Sequence, residues 1–162
     1  MDVRIRNAVE DDVPELLAMI RELADYEKLL PEVVASEELL HHEIFVKHRA
    51  EALLALVDDE GGTRAVGFAL FFHNFSTFLG RGGLYLEDLY VRPDWRGRGV
   101  GRALLRQLAS TALSRECGRM EWAVLNWNTP AIAVYRKLGA LPQDEWTVYR
   151  LDRKGIEQLA GA

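Results

Sequence analysis

Leu84-Tyr85-Leu86-Glu87-Asp88-Leu89-Tyr90-Val91-Arg92-Pro93-Asp94-Trp95-Arg96-Gly97-Arg98-Gly99-Val100-Gly101-Arg102 is the stretch on which the fold turns. Its first eight residues are apolar apart from Glu87 and Asp88 and read as a strand that ends before Pro93. A loop of glycines and arginines follows, and Val100, Ala103, Leu104, Leu108, Ala112 and Leu113 then recur at helical spacing. Strand, loop and helix in that order leave unpaired backbone N–H groups, and the positive end of a helix dipole, at the loop's exit. Gly97, Gly99 and Gly101 carry no Cβ to hold an anion away from those donors, while Arg96, Arg98 and Arg102 add charge beside them. The segment reads as an anion cradle, best suited to a pyrophosphate. A G-x-G-x-x-G fingerprint fails because position 102 is arginine, and no Gly-Lys-Ser/Thr follows, so the dinucleotide and P-loop readings lapse.

Outward from this stretch, strands are expected at Val3–Ala8, Leu53–Val57 and Ala65–Phe72, the last two joined by the turn Asp59-Glu60-Gly61-Gly62. Further strands are expected at Glu121–Leu125 and Trp146–Leu151. A helix capped by Asp11 carries Val13, Leu16, Leu17, Ile20, Leu23 and Ala24, and a short one follows Ser36. Asn128 caps another over Pro130–Leu138, which Gly139 stops, and a helical tail follows Arg153. Strands in the middle with helices before and after predict an α/β or α+β mixed sheet layered by helices.

The totals bound the function. A chain of 162 residues with 49% apolar residues can bury one full core, and no linker or repeat divides it, so one domain over 1–162 is expected. A net charge of −5 argues against nucleic acid or an anionic membrane as main partner. The single cysteine, Cys117, excludes an internal disulfide, and His41, His42, His48 and His73 lack metal-ligand spacing, so no metal is expected. Charged residues interrupt the N-terminal segment, leaving no leader or apolar span, and a cytoplasmic protein is expected.

Single residues are ambiguous by type alone. Adjacent residues of a regular strand face opposite ways, so only one of Glu87 and Asp88 could face a given cleft. A structural ion pair or a bulge accounts for them as well as a base or cation anchor does. Tyr135 on its capped helix fits a core residue with an edge hydroxyl, and the Glu22, Asp25, Tyr26, Glu27 and Glu32 cluster fits a solvated face.

At Arg96-Gly97-Arg98-Gly99-Val100-Gly101 the chain resembles the acetyl-CoA loop of the GNAT N-acetyltransferase superfamily, Gln/Arg-x-x-Gly-x-Gly/Ala. The likeness runs from Arg4 to about Leu151 and is nearest the diamine acetyltransferases, meaning the spermidine/spermine enzyme and its thialysine-acetylating relative. It is carried by Glu22-Leu23-Ala24-x-Tyr26-Glu27, Tyr85–Val91, Ala123–Asn128 and Tyr135-Arg136-Lys137-Leu138-Gly139-Ala140. The resemblance implies a strongly twisted, mostly antiparallel sheet splayed between two central parallel strands, with helices on both faces. It implies acetyl-CoA held by the backbone of Leu89, Tyr90 and Val91, by Arg96, Gly97, Arg98, Gly99, Val100, Gly101 and Arg102, and by Asn128. Tyr135 matches the catalytic tyrosine near the thioester sulfur, and Tyr26, Glu27 and Glu87 match acceptor-side positions. A homodimer is implied as well. A polyamine-anchoring aspartate of the spermidine/spermine enzyme aligns with Thr77, and the acid before the tryptophan falls on either Asp144 or Glu145. Both departures favour a diamine-like or lysine-like acceptor over spermine.

The chemistry follows from the acceptor. A primary amine with a pKa near ~10.4 is protonated at neutral pH in all but roughly one molecule in 10³. The site must therefore take a proton, and Glu87, acting through water, is the candidate base. A backbone N–H near Leu89 suits the developing oxyanion, and Tyr135 suits protonation of the departing thiolate. The expected function is direct acetyl transfer from acetyl-CoA to a small-molecule primary amine. Protein lysines or N-termini, aminoglycosides, and a non-catalytic acyl-CoA-binding regulator are the alternatives.

Overall fold

The computed structural model describes residues 2–161, which fall into two compact units, the first ending at Ala123 and the second beginning at Val124. The first holds β1 (Val3–Asn7), α1 (Val13–Tyr26), α2 (Glu37–His41), β2 (Glu51–Asp59), β3 (Gly62–Ser76), β4 (Arg81–Val91), α3 (Val100–Ser114) and β5 (Met120–Trp122). A π-helical turn, His42–Val46, continues α2. The second unit holds α4 (Thr129–Lys137) and α5 (Arg153–Ala160).

The sheet runs β1-β2-β3-β4-β5, antiparallel throughout except for the parallel pair β4–β5. Its two faces are covered by different helices. Leu53, Phe71, Leu84 and Leu86 pack with Leu104 and Leu108 of α3. On the other face Leu54, Phe68 and Tyr90 pack with Leu16, Met19 and Leu23 of α1. The resemblance and the observed architecture agree on a mixed, mostly antiparallel sheet with helices on both faces.

One irregularity governs the rest. Leu70 pairs with Asp88 but Phe71 with Leu86, which leaves Glu87 as an extra residue in β4. The packing shows the same phase change. Leu84 and Leu86 face α3, and so do Leu89 and Val91, three residues on from Leu86 rather than two or four. Glu87 and Asp88, lying between two residues that face α3, both turn to the α1 face. The opposite-face expectation of a regular strand therefore does not apply. Parallel pairing with β5 covers Leu84, Tyr85 and Leu86 and ends at this bulge, so no described strand continues along that edge of β4 from Glu87 to Val91.

Several boundaries differ from expectation. The strand foreseen at Glu121–Leu125 is Met120–Trp122, because β4 offers it a regular partner only before the bulge. Asp12 rather than Asp11 precedes α1; its carboxylate is occupied by Arg6, at 2.6 and 2.9 Å, and by the Val9 N–H, at 2.7 Å. Residues 146–151 form no strand. Their own unit contains no described strand to pair with, and Trp146 and Val148 stand 77% and 84% exposed. The 59–62 turn forms as expected, with the Gly61 N–H donating to Asp59 at 2.8 Å and Gly62 at φ +105°.

Candidate active site

The loop between β4 and α3 is built by its glycines. Gly97 at φ +73° and Gly99 at φ +85° occupy the left-handed region, and a Cβ on either would meet nothing within 4 Å. Their value is backbone shape together with the open space before it. Gly99 is the N-cap of α3, so the N–H groups of Val100, Gly101 and Arg102 project from the helix start without intrahelical acceptors. The first turn holds no acidic residue to satisfy them and carries Arg102, a cation at the positive end of the dipole. That placement disfavours the helix by itself and suits an anion. Gly101 is different: a Cβ there would sit 3.7 Å from Val91 Cγ2, an ordinary contact.

The three loop arginines do not behave alike. Arg98 lies over the buried Trp95 ring, 5.1 Å from its centroid, with Arg64 at 5.5 Å. Arg96 donates from Nε to the Val91 carbonyl at 2.9 Å, and its guanidinium lies 4.8 Å from the Tyr26 ring and 5.7 Å from the Tyr90 ring. The glycine loop is thereby tied to the end of α1. Arg92, just upstream, donates to Glu15, Glu22 and the Ala65 carbonyl, each at 2.8 Å. Sequence reading assigned no role to Arg92. Its nearest sequence signal is the set of acids along α1.

The acids at the bulge differ in environment. Glu87 is exposed and Asp88 half-buried. Burial, with Glu87 and Glu27 as negative neighbours, pushes the Asp88 carboxyl up to about 6. Glu27, half-buried at the C-cap of α1, is also raised by desolvation. Tyr90 is buried, and desolvation followed by the charge of Glu22 raises its phenol. Tyr26, Glu27 and Glu87, named from the sequence as acceptor-side residues, thus stand at the end of α1 and on the β4 face turned toward it. Asp88 joins them. Thr77 lies in the exposed β3–β4 turn.

In the second unit, Asn128 caps α4 by accepting from the Ala131 N–H at 3.4 Å, and Pro130 stands in the first turn. Tyr135 is half-buried in the last turn of the helix, and Gly139 at φ +82° closes it. Cys117 Sγ lies 3.8 Å from His73 Nδ1, but that ring is occupied by the Gly83 carbonyl at 2.9 Å and by Arg115 at 2.8 Å. The histidine is therefore not poised to activate the thiol. Among the described residues no group of three or more His, Cys, Asp or Glu is placed to hold a metal ion, and no helix is long and apolar enough to cross a membrane.

Known proteins are similar to this chain. Residues 16–140 match the model of the acetyltransferase (GNAT) family. A thialysine N-epsilon-acetyltransferase of Sus scrofa is 39% identical over 98% of both chains. An L-ornithine N5-acetyltransferase of Arabidopsis thaliana is 28% identical over 96% of this chain and 87% of its own. Among solved structures, an integron cassette protein from the mobile metagenome of V. cholerae superposes with a TM-score of 0.81 at 28% identity, covering 100% of this chain and 99% of that one.

Proposed function

Because the chain belongs to the acetyltransferase (GNAT) family and is an acetyltransferase, we propose that it moves the acetyl group of acetyl-CoA directly onto the side-chain amine of a small lysine-like or diamine acceptor. The observation that carries this reading is the pair of left-handed glycines, Gly97 and Gly99, opening onto the uncapped start of α3. A diphosphate fits that space and those donors.

The N–H groups of 97–102 hold the diphosphate, with Arg98 and Arg102 beside it. Leu89, Tyr90 and Val91, on the edge of β4 left without a described strand partner, offer backbone donors and acceptors to the pantetheine and acetyl portions, and the family resemblance assigns Asn128 to the pantetheine portion as well. Acetyl-CoA supplies an activated thioester carbon. Tyr26, Glu27 and Glu87 receive the ammonium of the acceptor, and the N–H near Leu89 stabilises charge on the carbonyl oxygen. Tyr135 gives its phenolic proton to the departing sulfur and recovers one from water. Cys117, at the far end of α3, takes no part, and transfer needs no covalent enzyme intermediate.

Two points support the acceptor class. Thialysine and ornithine, named for the relatives, are amino acids with a side-chain primary amine. Thr77 supplies no carboxylate for the far end of a polyamine. A cytoplasmic homodimer is the working form we propose by resemblance, and sedimentation of the purified protein tests it.

The decisive experiment is calorimetry with acetyl-CoA followed by thiol release with thialysine, lysine, ornithine, putrescine and spermidine. Binding, with the fastest release for the amino acids or the short diamine, is expected. Absence of binding ends the proposal. Binding without release from any amine turns the protein into an acyl-CoA-responsive regulator.

A further inference from the structure

We propose that Asp88, turned by the β4 bulge onto the α1 face beside Glu27, is the group that takes the proton from the acceptor's ammonium, while the neighbouring Glu87 holds the cation. The inference rests on the acetyltransferase reading above and deepens it by dividing two roles between two adjacent carboxylates.

Geometry comes first. The extra residue in β4 places both side chains on one face, a pairing no regular strand allows. Their surroundings then differ. Glu87 is exposed, where water solvates it and an incoming cation can displace that water. Asp88 is half-buried and stands opposite the apolar Leu70 of β3. The charged groups around it are Glu87 on its own strand and Glu27 at the end of α1. Glu22, farther along α1, is taken by Arg92 and Tyr90, and Arg96 is taken by the Tyr26 and Tyr90 rings. No described arginine or lysine forms an ion pair with Asp88 to hold its proton off.

The magnitude favours Asp88 as acceptor. Passing a proton from an amine of pKa ~10.4 to an ordinary carboxylate is uphill by a factor of about 10⁶. Passing it to a carboxyl raised to about 6 is uphill by about 10⁴. The step balances simply. The ammonium loses one proton to the Asp88 carboxylate and its nitrogen keeps the electron pair. That pair forms the N–C bond as the C–S bond of the thioester breaks; the nitrogen's second proton leaves through water and replaces the one that Tyr135 gives to the thiolate, so a neutral amide and a free thiol result. Asp88 returns its proton to water once the neutral amide leaves.

The test is the pH dependence of kcat/KM for thialysine, with an independent titration of the Asp88 carboxyl by carbon-13 NMR in the free protein. The wild type should show an acid limb with a midpoint near 6, matching the NMR titration. Asp88→Asn should lose about 100-fold or more at neutral pH and lose that limb, while Asp88→Glu recovers part of the rate. Glu87→Gln should keep the limb but move it to lower pH, because one negative neighbour is gone, and should raise KM for the amine. An acid limb that survives in Asp88→Asn, or vanishes in Glu87→Gln while the Asp88 resonance still titrates near 6, overturns the inference and leaves acetyl transfer standing. A wild type that releases no thiol with any amine overturns the transfer reading, and the inference falls with it.

Discussion

Arg92 shows how single side chains hold this site in place. One guanidinium satisfies Glu15, Glu22 and a backbone carbonyl of β3, and Arg92 holds the Glu22 carboxyl below its ordinary value. A carboxyl depressed in the folded state contributes stability above its unfolded pKa, near 4.5, and that stability is lost as pH falls through the lower folded value. Arg92→Ala should therefore cost about 1–2 kcal/mol in urea unfolding at pH 7, less than a fully buried network would, because all three side chains are partly exposed to solvent. The gap from wild type should narrow below pH 4. Tyr135→Phe belongs to chemistry instead: kcat should fall at least tenfold while acetyl-CoA affinity, read by calorimetry, stays within about twofold. At this scale the sequence singles out residues whose type carries its own chemistry, such as Glu87 and Tyr135, and the loop glycines take the left-handed backbone their type allows. The environment of Asp88 is not legible in this way, because its proton affinity is set first by burial and then by Glu87 and Glu27, the latter 61 positions away in the chain. A sign was present all the same: Leu84 and Leu86 alternate in one phase and Leu89 and Val91 in the other, and a strand does that only by bulging.

Elements differ in how much they tolerate, and the anion loop gives a sharp contrast. Gly99→Ala forces a Cβ into a left-handed residue, costing about 1–2 kcal/mol of strain, and sets a methyl where the diphosphate is proposed to lie. Thermal unfolding should show a modest loss and calorimetry a large drop in acetyl-CoA affinity. Gly101→Ala meets only an ordinary contact with Val91 inside a helix, so stability should rise by about 0.5–1 kcal/mol. The loop and both large helices were readable because their signals are local: glycine positions, caps and helical spacing. The strands were readable only in part. Val148 and its neighbours carry residues that favour a strand, but pairing is a property of the partner, and sequence pattern alone cannot supply one. The shortness of β5 has the same origin, since it is fixed by a bulge in β4 more than thirty residues earlier.

Among the described residues the buried apolar side chains are unevenly shared: they run from Val13 to Ala112, all within the first unit. Both faces of the sheet and both covering helices lie there too. A chain ending at Ala123 should therefore retain a cooperative unfolding transition by circular dichroism, while releasing no thiol from acetyl-CoA because it lacks Tyr135. Loss of that transition would show that the second unit contributes to folding as well as to chemistry. Length and composition, from which one domain was expected, carry no sign of the two compact units. Stability selection would accordingly be a poor guide to this protein: variants picked for surviving heat would be purged of faults in the leucine-rich first unit, yet lesions around α4 would pass the filter unnoticed and surface only when turnover is assayed.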